Sequence, residues 1–391
     1  MSRSEGYRRF SDAEYKQRWA ALEVVLDQEG LDGLLIAGRK GSPEVSYYSN
    51  WLPTREAYLI GSDRNDARLL VQLRNHVAFA REASVIADVV FGGWASTSPG
   101  GGPDSIPSIA DELRARGWAS GRVGIAGPFT PDALKRLGEV LPDISLVDIS
   151  RQVGRLRRSK SDEELEWLRE AARVTDEVLL EFQERARPGM TEFELVGLLE
   201  YACRRREAHF GVRHLLSTSM ADPDILVPAQ SPSIRRLSAG DVVVIEMSAG
   251  WPGYFAQSIR SCPVGCDLTG VFVELHDAAV ATFHSITETL AGGASVGEIW
   301  QAAALIRDRG FSIEDDLVHG ANQASPIIRL GGPEEMAQES TFLSPGDVVV
   351  VQPNVVDPPS GAGVQIGEMV RVTAMKVERL HSLPLEPLRI G

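Results

Sequence analysis

Ser231 to Gly265, SPSIRRLSAGDVVVIEMSAGWPGYFAQSIRSCPVG, is the stretch from which the fold can be read. Its apolar run Val242 to Ile245 opens a β-rich block from Asp241 to Val264, in which Gly253 is a turn residue and Glu246 sits on an otherwise apolar strand, VVVIEMS. A second β-rich block spans Gly346 to Thr373. Two helices precede each block. Ser161 with Glu164 makes a capping box that opens a helix through about Glu184, and Thr191 with Glu194 makes another, with Pro188 and Gly189 as the turn between them. Helices near Val271 to Leu290 and Val296 to Arg309 lead into the second block. The order helix, helix, strands therefore occurs twice, an internal duplication visible in the order of elements. An α+β domain built this way is expected to place a pocket where its halves meet.

Upstream of Arg155 the pattern changes. Ser11 with Glu14 caps a first helix carrying Tyr15, Trp19, Leu22 and Leu26 at helical spacing, and Gly30 stops it. Strand-like segments follow near Leu31 to Ala37, Ala57 to Gly61, Arg68 to Gln72, Val85 to Phe91 and Val123 to Ala126. Helical stretches near His76 to Arg81, Ile106 to Arg116 and Pro131 to Val140 separate several of them. Alternation of this kind predicts an α/β unit. The expected division is residues 1–155 and 156–391. Ser96 to Asp104, STSPGGGPD, reads as a surface loop, because no Lys-Ser or Lys-Thr follows its glycines as a phosphate cradle requires.

Composition removes several classes of function. The 391 residues are 43% hydrophobic and 24% charged, ordinary for a globular chain. A formal charge of −14, with basic runs confined to Arg155 to Lys160 and Arg204 to Arg206, argues against a nucleic-acid partner. The longest apolar runs fall far short of the ~20 residues of a membrane helix, so no membrane partner is expected. The start, MSRSEGYRRF, has no apolar stretch behind it, which gives a cytoplasmic expectation. Cys203, Cys262 and Cys266 are too few for a disulfide framework and lack the spacing of a redox or zinc pair.

With Pro232, Arg235 or Arg236, Leu237, Gly240, Asp241, Gly253, Tyr254 and Arg260 in order, the stretch resembles the creatinase and methionine-aminopeptidase superfamily. Its pita-bread fold is shared by proline dipeptidases and aminopeptidase P. The α/β first half is similar to the N-terminal domain of creatinase and prolidase, so the resemblance covers essentially the whole chain. It implies a pita-bread C-terminal domain with pseudo-twofold halves and a homodimer in which the N-terminal domain completes the partner's site.

In metal-dependent members two Asp, one His and two Glu hold two divalent ions. The resemblance places these positions at Glu246, Gln257, His319, Gln352 and Gly367, so one carboxylate remains of four. Such a set cannot offset the desolvation of two divalent cations. The resulting expectation is no metal, no other cofactor, and a nearly neutral pocket, with Glu246 and His319 as the pair that a single ion would use. Glu368 lies one residue past the lost ligand; it restores the ligand only through a bulge and is otherwise a solvated strand residue.

Creatinase splits a C–N bond without metal, so catalysis can survive this loss. Its proton-shuttling His corresponds to Ala229 here, which argues against creatine itself as substrate. The candidate catalytic groups are Glu246, whose proton affinity burial should raise unless it pairs with an Arg such as Arg260, and His319, as general acid or base or as a relic of the ligand set. Candidate substrate-binding residues are Arg55, for a carboxylate across the dimer interface unless it pairs with Glu56; Tyr254, donating to substrate or packing the core; and Gln257 and Gln352. His214 is a reserve shuttle if its strand parity is right, as Glu368 is a reserve ligand. Trp51, Trp94 and Trp251 offer ring faces for a ligand or fill the core. The leading expectation is a metal-independent creatinase-like enzyme acting by hydrolysis or elimination on a small polar molecule. Alternatives are an inert pita-bread pseudoenzyme that binds peptide or protein, and an unusual metal-dependent peptidase or lyase.

Overall fold

The computed structural model describes residues 8–93, 104–321, 324–328 and 342–391. Trp94 and the Ser96 to Pro103 part of the glycine-rich loop lie outside them. The chain divides into two compact units, Met1–Arg157 and Arg158–Gly391.

The first unit is a six-stranded sheet in the order Asp88–Phe91, Arg68–Val71, Glu56–Gly61, Gly33–Arg39, Arg122–Ala126, Ser145–Asp148. Parallel pairs join its outer strands and antiparallel pairs its middle. Helix Asp12–Glu29 ends where Gly30 turns left-handed at φ 61°, as the glycine predicted. Ser11 caps its start, but the Glu14 carboxylate turns to Arg18 Nε at 2.7 Å instead of closing a box. Arg18 is buried, with its guanidinium 4.3 Å from the Phe10 ring centroid and 4.1 Å from that of Tyr47. Trp51 joins the core with Trp19 and Tyr48, so its ring packs rather than waits for a ligand.

The second unit is a larger, antiparallel sheet in the order Ala324–Ile328, Val318–Gly320, Val348–Val351, Gly367–Val372, Tyr254–Pro263, Asp241–Trp251, His209–Ser219, with Val377–Arg379 paired to Gly367–Val372. Helices Asp162–Arg185 and Glu192–Arg204 precede the first half, and both capping boxes form as the sequence predicts. Helix Val271–Thr289 and the short helices Val296–Ala302 and Ala304–Asp308 precede the second. The halves join where Gly367 and Glu368 pair with Ile259 and Ser258. Thr175 of the long helix fastens it to the sheet, its hydroxyl donating to Ala256 O at 2.9 Å and accepting from Ala249 N at 3.0 Å.

The motif residues of this stretch are mostly architectural. Arg235, not Arg236, is the motif arginine: it grips Asp241 with two bonds of 2.7 and 2.9 Å, while Ser238 N donates to the same carboxylate. Gly240 at φ 87° and Gly253 at φ 86° take left-handed turns that favour glycine. Arg260 is fully buried, donating to the carbonyls of Gly367 and Pro384 at 2.9 Å each and to Glu368 at 2.8 Å. It thereby ties the two halves together.

Candidate active site

Strand register decides which side chains can meet. Directly opposed residues of an antiparallel pair share a face, and neighbours along a strand alternate. Glu246 faces Ile259, Ser248 faces Gln257, Ile259 faces Gly367, and Met369 faces Val350, which faces His319. Gln352 lies two residues beyond Val350. One face of the sheet thus gathers Glu246, Gln257, Gln352 and His319 across the junction of the halves.

The four form a continuous hydrogen-bonded chain. Gln257 Nε2 donates to Glu246 Oε1 at 3.0 Å and to Gln352 Oε1 at 2.8 Å. His319 Nε2 lies 3.2 Å from the same Gln352 oxygen, and its Nδ1 donates to the Gly320 carbonyl at 2.8 Å. All four side chains are buried. Burial, and after it the like charges of Asp315 and Asp316, push the Glu246 carboxyl from 4.5 up to about 7. Burial lowers His319, against the pull of the Gly320 carbonyl, Gln352 and Asp315.

The acidic pair in IEDDLVHG was not foreseen from sequence, and it corrects the expectation of a nearly neutral pocket. Gln352 Nε2 donates to Asp316 Oδ1 at 3.1 Å. Asn354 holds this segment in place, its Oδ1 accepting from Glu314 N at 2.8 Å and Asp315 N at 3.0 Å. The one available signal was two carboxylates just ahead of His319.

His214 does have the right parity. It stands directly opposite Glu246 on the adjacent strand, its Nδ1 is buried with no hydrogen-bond partner, and burial lowers its proton affinity. A register shift between Phe210 and Arg213 separates this strand from simple alternation, which is why sequence alone left the parity open. The Ala229 position is close by: Leu215 N donates to Ala229 O at 3.4 Å.

Three residues singled out from sequence lie on the other face of the sheet. Tyr254 opposes Trp251 on the other face; its hydroxyl donates to Glu164 at 2.6 Å and its ring packs on Trp167 at 5.6 Å between centroids. Trp251 also packs on Trp167, so it fills the core. Glu368 likewise points away from Glu246 and is fully buried between Arg260 and Arg379, not solvated. That pairing also answers whether Glu246 takes Arg260: it does not. In the first unit Arg55 is exposed, with no ion pair among the described residues, while Glu56 accepts from Tyr58 at 2.8 Å and lies 3.9 Å from Arg39.

Among the described residues no group of three or more His, Cys, Asp or Glu is arranged to hold a metal ion. At Gly367 a Cβ would come within 2.8 Å of both Gln352 Cβ and Val351 O. No described helix is long and apolar enough to cross a membrane.

Comparison with known proteins gives the family and the fold. The model of metallopeptidase family M24 matches residues 166–374, and that of the creatinase/prolidase N-terminal domain matches residues 18–159. The uncharacterized peptidase YqhT of Bacillus subtilis is 24% identical, over 90% of this chain and 94% of its own. Creatinase of a Bacillus species is 21% identical over 97% and 93%. The X-Pro aminopeptidase structure from Thermotoga maritima superposes with a TM-score of 0.81 at 20% identity, covering 95% of this chain and 99% of that one.

Proposed function

This chain belongs to metallopeptidase family M24, and we propose that within it the protein acts as a metal-independent, creatinase-like enzyme. The substrate is a small polar, carboxylate-bearing molecule cleaved by hydrolysis or elimination at a C–N or related bond. The observation that carries this reading is Glu246: a buried carboxyl brought to about 7, bonded through two amides to His319 and opposed by His214. A carboxyl so placed can take or give a proton near neutral pH.

In hydrolysis Glu246 removes a proton from water as the water oxygen bonds to carbon, and the departing nitrogen takes a proton from His319. In elimination the base removes the proton on the neighbouring carbon and the nitrogen again leaves protonated. Gln257 and Gln352 orient the substrate by neutral hydrogen bonds, and His214 is the second proton carrier. Arg55 of the partner subunit in a homodimer holds the substrate carboxylate through its planar guanidinium.

The donor chemistry favours the metal-free form. Divalent ions need lone pairs, yet Gln257 turns an N–H toward Glu246 and Gln352 turns one toward Asp316. The tight approach of Gln352 leaves no space for a side chain at Gly367. These residues do not fit a dinuclear centre.

The experiment is exhaustive chelation with elemental analysis. A thermal-shift screen over guanidino, amide and betaine metabolites first supplies a substrate. Turnover of that substrate should survive dialysis against a strong chelator, with metal well below one ion per chain. Turnover abolished by chelation and restored by added metal overturns the reading.

A further inference from the structure

The chain from Glu246 to His319 has a direction, and one residue outside it fixes that direction. This inference rests on the reading of Glu246 and His319 as proton-transfer groups. A carboxamide donates at one end and accepts at the other, so setting one end of a glutamine sets the other. In the chain, Gln352 Oε1 lies 2.8 Å from Gln257 Nε2 and 3.2 Å from His319 Nε2. Neither contact alone chooses an orientation, because both amides can turn over together. The contact that breaks the tie is Gln352 Nε2 with Asp316 Oδ1 at 3.1 Å, since a carboxylate only accepts.

We propose that Asp316 is a positioning residue that sets the polarity of the amide relay. By drawing the Gln352 amide nitrogen it turns the Gln352 oxygen toward both Gln257 and His319, and so commits Gln257 to donate to Glu246. In this direction Glu246 is an acceptor and needs no proton of its own. Both ring nitrogens of His319 face acceptors, Gly320 O and Gln352 Oε1, the surroundings of a doubly protonated ring. Reversal would turn the Gln352 NH2 toward the bare His319 Nε2 and the Gln257 oxygen toward Glu246, which would then need a proton to donate. The two directions thus differ by where one proton resides.

Burial opposes Asp316: it lowers His319 and raises Glu246, favouring the reversed state. The other groups facing these two are His214 across the strand pair from Glu246, Asp315 near both, and Asp316 itself. Asp315 is exposed and shares the charge effect, with no hydrogen bond to either amide among the described residues, which makes it the control.

The test reads the His319 ring by 15N NMR in the full-length protein labelled at histidine, with the resonance assigned by its loss in His319→Gln. Asp316→Asn, which can offer an N–H where the carboxylate only accepts, should remove the Nε2 proton and lower the His319 titration about tenfold in proton affinity or more. Asp315→Asn should shift it clearly less. In a Gln352→Leu background Asp316→Asn should no longer have its large effect. Should Asp316→Asn fail to fold, Gln352→Leu alone must lower the His319 titration. Equal shifts from Asp315→Asn and Asp316→Asn, an undiminished Asp316 effect without Gln352, or no shift at all would overturn the proposal. None of these readouts uses turnover, so they stand or fall separately from the chelation result.

Discussion

His214 and Glu246 are direct cross-strand partners on the face that also carries Gln257, Gln352 and His319. The pairing puts a histidine with an unpartnered, buried Nδ1 against a carboxyl of raised proton affinity, beside the Ala229 position. His214→Asn should therefore lower kcat on the screened substrate by about 100-fold or more, the scale of a lost general acid or base, with folding intact. Steady-state kinetics beside a thermal melt checks this, and unchanged kcat removes His214 from the chemistry.

The raised proton affinity of Glu246 also has a signature in stability. The folded value, about 7, lies above the 4.5 of an ordinary carboxyl, so its contribution is fully present below 4.5 and is lost as pH rises through about 7. The loss is on the order of 3 kcal/mol. His214 and His319, both lowered, act in the other sense and lose stability as pH falls below the ordinary histidine range. The clean measurement is the difference between Glu246→Gln and the parent by chemical denaturation. The variant should match the parent near pH 4 and gain on it toward pH 8; a flat difference contradicts the burial of the charge.

The opposite face makes a different prediction. Arg260 and Glu368 are both fully buried and bonded at 2.8 Å, so removing either leaves an uncompensated charge inside the sheet. Glu368→Ala should destabilise by about 3–5 kcal/mol. Arg379→Ala should cost less, because that side chain is partly exposed and Arg260 still holds Glu368. Urea unfolding of the two variants orders them.

At Gly367 any side chain meets Gln352 and the Val351 carbonyl. Gly367→Glu should lower stability by roughly 1–3 kcal/mol through overpacking and should not create a divalent-metal site. Calorimetric titration with manganese or zinc provides the second readout; tight metal uptake by this variant would show that the site reopens readily.

Arg55 is exposed and has no ion pair to lose among the described residues. Arg55→Ala should leave the melting temperature within a degree or so while raising KM for an anionic substrate. Light scattering should give a dimer, and a fully active monomer would defeat the assignment of Arg55 to a partner's site.

Much of the architecture was legible along the chain because its signals are local. Capping boxes at Ser161 and Thr191, the helix stop at Gly30, and the order of helices and strands depend on residues a few positions apart, and the structure keeps them. The environment of Glu246 was legible for a similar reason: a carboxylate on an apolar strand is buried whatever the strand pairs with. Tyr254 and Glu368 were different. Each sits on a strand whose facing depends on register, and register is set by pairing between strands, for Glu368 with the distant Ser258.

The residues themselves thus specified the elements and their division into two units. Tertiary structure alone decided which side chains meet: His214 opposite Glu246, Asp316 beneath Gln352, Tyr254 turned to Glu164, and Glu368 locked between two arginines. The physical reason is that a strand presents its two faces alternately, so a single register shift, such as the one between Phe210 and Arg213, moves every following side chain between core and site. Composition and spacing carry no record of that shift.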